Sequence, residues 1–101
     1  MAPSAYWARQ CSVGASFMSR AECDMRHAIG VPTILWGSDF PHDEGTWPDT
    51  AEALHATFSG VPADELRAML GGNAIRVYGL DPAVIEAHAA RVGPALEEVV
   101  G

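Results

Sequence analysis

The residues able to do chemistry gather in one stretch: Ser38, Asp39, His42, Asp43 and Glu44, flanked by Trp36 and Trp47. A carboxylate such as Asp39 can ligate a divalent metal, or accept a proton from metal-bound water as a general base. The competing reading is that Asp39 accepts backbone N–H bonds in the tight turn before Pro41. His42, three residues on, is open to four roles: ligand, proton relay, donor that orients a ligand, or a histidine bonded only within its loop. Asp43 and Glu44 read as solvated. Trp36 and Trp47 could wall an aromatic pocket, with core packing the alternative for Trp36. A catalytic zinc centre needs three protein ligands and an open position for water. His42 and the two acids beside Asp39 fall short of that set. His27, His55 and His88 lie on predicted helices, outside HxH or HExxH spacing, and read as surface or packing residues.

These residues need a scaffold, and the flanking pattern supplies one. Cys11 to Phe17 is short, small and apolar, which suits a strand. Ser19 and Glu22 have capping-box spacing, predicting a helix from there to about Ile29 with Gly30 ending it. Val31 to Phe40 contains the continuous apolar run Ile34-Leu35-Trp36, the pattern of a strand covered on both faces in a parallel sheet. Pro41 to Pro48 is dense in turn residues. Asp49 and Glu52 open a helix that Gly60 and Pro62 stop. Further helices are predicted over Ala63 to Leu70, from Asn73 to Tyr78, and over Pro82 to Val92 behind the cap Asp81, with a last turn within Pro94 to Val100. Strand, helix, strand, loop, helix is the order of an α/β protein. In such folds the carboxyl ends of the parallel strands hold the ligand, and that is where Asp39 falls. Two parallel strands leave open edges and do not make an independent sheet.

The chain has 101 residues, with six basic residues against thirteen acidic ones and a formal net charge of -7. All the basic residues are Arg, so Schiff-base and Lys-nucleophile chemistry are excluded. An acidic surface repels phosphates, so nucleic acid is not the expected partner. No Gly-Lys phosphate loop and no GxGxxG occur. No apolar run is long enough to span a membrane, and the N-terminus lacks a signal-peptide pattern, so a cytoplasmic protein is expected. Cys11 and Cys23, the two cysteines, lack metal-binding spacing and read as buried thiols.

Taken together, Trp36-Gly37-Ser38-Asp39-Phe40-Pro41-His42 and Glu44-Gly45-Thr46-Trp47-Pro48 resemble the C-terminal signature of the amidohydrolase-related family. The closing Asn73-Ala74-Ile75-Arg76-Val77-Tyr78-Gly79-Leu80 is similar to that family's ending, and the resemblance runs from about Cys11 to Leu80. It implies a metal-dependent (β/α)8 barrel that hydrolyses or non-oxidatively decarboxylates a small carboxylate or cyclic substrate. It also implies that Asp39, at the end of the last barrel strand, is the catalytic residue and a ligand of zinc or a similar divalent ion. His42 and Trp47 become candidates for supporting that ligand or forming the substrate loop; Asn73 and Tyr78 shape the last helix and carry no chemistry. A whole barrel takes about 250 residues. Residues 1–101 therefore read as a fragment, the last two βα units plus C-terminal helices, with 1–10 a poorly ordered lead-in. Such a fragment is expected to be inactive alone and to bind no metal by itself. The alternative is a non-catalytic α/β module that self-associates through its open edges, as a homo-oligomer, or docks on a partner.

Overall fold

Two short strands, β1 (Val13–Ser16) and β2 (Ile34–Gly37), pair in parallel, with Val13 opposite Ile34 and Ser16 opposite Gly37. The computed structural model describes residues 1–101, and in it these strands form one two-stranded sheet that does not close into a barrel. Between them the chain crosses over through α2 (Arg20–Asp24) and α3 (Arg26–Ile29). The capping box forms in both directions: the Ser19 side chain accepts from the Glu22 N–H, and the Glu22 carboxylate accepts from the Ser19 N–H at 3.1 Å. The expected single helix breaks at Met25, whose N–H turns back to the carbonyls of Glu22 and Cys23. Gly30 ends the second piece at φ +113°, a region that glycine enters without steric cost.

The second strand is shorter than the sequence predicts. Val31–Thr33 forms a turn of 3₁₀ helix, because Pro32 fixes φ and lacks a ladder donor. Past Gly37 the chain leaves the sheet. Nor is the strand covered on both faces, since only Ile34 is fully buried and Leu35 and Trp36 remain half-buried. Helices pack against one face only, where Ala15, Ile34 and Trp36 join the core.

That core is built from Met18, Cys23, Ile34, Leu54, Phe58, Val61, Leu66, Met69 and Val99. It fills the space between the strands and α4 (Thr50–Phe58), α5 (Ala63–Arg67), α6 (Asn73–Tyr78) and α8 (Leu96–Val100). Asp49 precedes α4 as expected, but its side chain caps no N–H. A wide turn over Ala68–Gly72 carries α5 directly into α6, and Gly79 closes α6 in the left-handed region. The helix α7 (Pro82–Val92) is capped by Asp81, whose carboxylate accepts from the Ala83 N–H at 3.0 Å, but it buries no residue. Residues 1–10, expected to be poorly ordered, contain the helix α1 (Pro3–Gln10). It is fastened by Trp7, whose Nε1–H donates to the Ile29 carbonyl at 2.6 Å. No helix is long and apolar enough to cross a membrane.

Polar side chains tie the helices to the strand region. Asn73, itself buried, donates from Nδ2 to the carbonyls of Val31 at 2.7 Å and Ile34 at 2.9 Å. One amide group thus bridges the place where the 3₁₀ turn meets β2, serving the Ile34 carbonyl and adding a second donor to the Val31 carbonyl, which also accepts from the Ile34 N–H. Arg76 adds a bond to the Pro32 carbonyl at 2.8 Å. On the other side, the buried Thr57 hydroxyl donates to the Met18 carbonyl at 2.8 Å, fixing the exit of β1 to α4.

Candidate functional site

The loop from Ser38 to Trp47 leaves the carboxyl end of β2 and folds on itself. Thr46 N–H returns to the Ser38 carbonyl at 3.0 Å, His42 N–H to the Asp39 carbonyl at 2.7 Å, and Gly45 N–H to the His42 carbonyl at 2.9 Å. The Thr46 and Thr50 hydroxyls meet at 3.0 Å, holding the loop to the start of α4. Gly45 is demanded by space, not by φ. A Cβ there would stand 2.8 Å from the Ser38 carbonyl oxygen and 3.0 Å from those of Asp39 and His42.

Asp39 adopts φ +59°, a left-handed conformation that Asp tolerates better than most residues. The turn does not use its carboxylate. Pro41, two residues on, has no N–H to give it, and the His42 N–H goes to the Asp39 carbonyl, while the Phe40 N–H turns back to the Ser38 hydroxyl at 3.3 Å. The Asp39 carboxylate is left 41% exposed, with His42 Nδ1 at 3.5 Å from Oδ2. That approach is not a hydrogen bond of the neutral ring, because His42 Nδ1 accepts from the Glu44 N–H at 3.1 Å. A neutral imidazole has one N–H, which must then lie on Nε2, facing away from these bonds. Of the open roles, His42 therefore combines a loop acceptor at Nδ1 with a free ring nitrogen at Nε2.

The two tryptophans part company. Trp36 packs against the core, whereas Trp47 is 67% exposed and meets Phe40 edge-to-face, ring centroids 5.6 Å apart. A groove of about 530 Å³ lies elsewhere, beside β1 under Trp7 and Ile29. Asp43 and Glu44 are exposed.

No three of the His, Cys, Asp and Glu side chains come together as a metal cluster. The remaining histidines serve other bonds: His27 reaches Glu65 at 2.7 Å, His55 the Val99 carbonyl at 3.0 Å, and His88 faces Arg91 at 3.1 Å. Both cysteines are free, but Cys11 is exposed, against expectation, on the connection between α1 and β1. Cys23 is buried, and burial pushes its thiol pKa up, with Arg26 and Arg20 pulling part of the way back. A thiol so placed is a packing group.

One residue of this end escaped the sequence reading. Phe17, directly after β1, has φ +58° and is 68% exposed. Its only sequence signal is a large apolar residue closing a strand of small ones, which does not distinguish it from core.

A family model described as Amidohydrolase matches residues 4–80, about three quarters of the chain. No curated protein and no solved structure matches it significantly.

Proposed function

The chain belongs to the amidohydrolase family, and on that premise we propose that it forms the C-terminal part of a (β/α)8 enzyme, with Asp39 as its catalytic, metal-facing carboxylate. The parent reaction is hydrolysis or non-oxidative decarboxylation of a small carboxylate or cyclic substrate. The observation that carries this reading is the Asp39 carboxylate: it stands just past the carboxyl end of a parallel strand, partly exposed and accepting no backbone N–H. A carboxylate spared from local bonding is available to a metal, a water or a substrate.

The family is generally metal-dependent, but the residues present do not make a metal centre. Asp39 offers one carboxylate, and His42 has one uncommitted ring nitrogen, short of the three ligands a catalytic centre requires. In this reading the missing donors belong to other strands of the same barrel. Asp39 supplies one charge, and His42 helps hold the loop that presents it.

The test is elemental analysis of the purified chain beside Asp39→Ala. Well under one equivalent of metal is expected in both. One equivalent of zinc or manganese, lost in the variant, would show that the chain completes a centre alone or as an oligomer. In an intact family member carrying the same Gly-Ser-Asp-Phe-Pro-His string, the corresponding Asp→Asn change is expected to abolish turnover with no change in melting temperature. Loss of folding would return Asp39 to a structural role.

A second reading, self-association or docking on a partner, is favoured by the two-stranded sheet with both outer edges open. Size-exclusion mass on the same sample separates the two: a dimer or larger supports it, and a sharply unfolding monomer does not.

A further inference from the structure

Backbone strain in this chain is concentrated where the two strands end. Phe17 and Asp39 are its non-glycine residues at positive φ, and each sits just beyond the carboxyl end of a strand. The register that pairs Ser16 with Gly37 brings Phe17 level with Ser38, one residue before Asp39. For Asp the conformation is ordinary; for a bulky aromatic it is an outlier.

The strain at Phe17 gains nothing in packing. The side chain is 68% exposed and stands outside the core cluster. It also stands outside the groove beside β1, although Val13–Ser16 before it and Met18 after it line that groove. The kink is held from both sides: Ser16 is paired in the sheet, and the buried Met18 has its carbonyl fixed by Thr57. Glycine or asparagine would accept the same backbone at lower cost and without exposing a phenyl ring to water.

From this we infer that Phe17 is a specificity-determining residue, whose ring contacts the apolar part of a small substrate bound at the sheet's carboxyl end. Phe40 and Trp47, exposed beyond β2, give that end further apolar surface in the same loop as the Asp39 carboxylate. The inference rests on the reading of this end as the substrate side. It adds a contact from β1, so that the site is spread over both strand exits.

The experiment compares the chain with Phe17→Gly and Phe17→Asn, using phenol as the probe and amide chemical shifts as the readout. Phenol is expected to shift residues 16–18 together with residues 38–47. Both variants should weaken phenol binding at least fivefold while melting at the same temperature or roughly 2–5 °C higher, as strain is relieved. Unchanged phenol binding, shifts that spare residues 16–18, or variants that melt lower than the parent chain would each overturn the inference. Val84→Ala, on α7, which buries no residue, is expected to leave phenol binding unchanged. A negative metal or turnover result would then count against the catalytic reading alone, and a negative phenol result against Phe17 alone.

Discussion

The helix-packed side of the sheet and the carboxyl ends of its strands are built on opposite terms. On the packed side every polar group is used. No buried side-chain nitrogen or oxygen lacks a partner, and Asn73, Thr57 and Arg76 each close backbone acceptors that the short strands leave open. At the carboxyl ends the chain keeps a carboxylate bonded to no N–H, an exposed edge-to-face aromatic pair and two left-handed non-glycine residues. The first region converts side chains into stability. The second gives up local stability to keep groups exposed, which is how a fold carries a site.

If the contrast is real, substitutions on the two sides should differ in kind. Asn73→Ala is the largest expected effect. It leaves the Ile34 carbonyl without its side-chain donor in a buried position and takes one of two donors from the half-buried Val31 carbonyl, at a cost of about 2 kcal/mol read by urea unfolding. Asn73→Asp should be at least as damaging, since it turns a donor into a third acceptor. A loss below half a kcal/mol would mean that water reaches those carbonyls and that the packed side is looser than it looks. Gly45→Ala comes next. Its new methyl meets three backbone carbonyl oxygens at 2.8 to 3.0 Å, so the loop must shift. About 1 kcal/mol of stability is expected to go, with the amide shifts concentrated in residues 38–46. Shifts spread through the core would erase the boundary between the two regions.

How far the sequence announced each side follows from how local its signals are. The capping box at Ser19, the glycine stop at Gly30 and the Asp81 cap are short-range chemistry, and all are found where the spacing places them. The Trp7 anchor of α1 depends on a carbonyl 22 residues away, the 3₁₀ turn at Val31–Thr33 on a proline whose effect reads as strand until its neighbours are known, and the break at Met25 on bonds back to Glu22 and Cys23 that no residue type announces. The position of Asp39, an acid just past an apolar strand, was legible from type and place. What the sequence left open was whether the turn consumed its carboxylate, and that depended on the His42 N–H, which goes to the Asp39 carbonyl. Phe17 was illegible, because a phenylalanine ending an apolar run says core, and only its backbone angle and exposure say otherwise.

The smallest expected effect probes the charged rim of the packed side. Glu65 on α5 receives Arg26 at 2.8 Å and His27 at 2.7 Å, both from α3, with the Arg26 and Glu65 side chains only 14% and 19% exposed. The Arg26 bond, and after it the His27 bond, hold the Glu65 carboxyl below the usual carboxylate value of 4.5, against some opposing desolvation. A carboxyl whose folded pKa lies below its unfolded one binds fewer protons in the folded state, so its contribution is complete above pH 4.5 and disappears as pH falls through the lowered folded value. The parent chain should therefore melt higher than Glu65→Gln at pH 6, and the two curves should converge as the pH is taken below 4.5. A gap that persists at low pH would show that Glu65 acts through packing of its stem, not through its charge. The effect should also shrink in high salt, because the pair is near the surface.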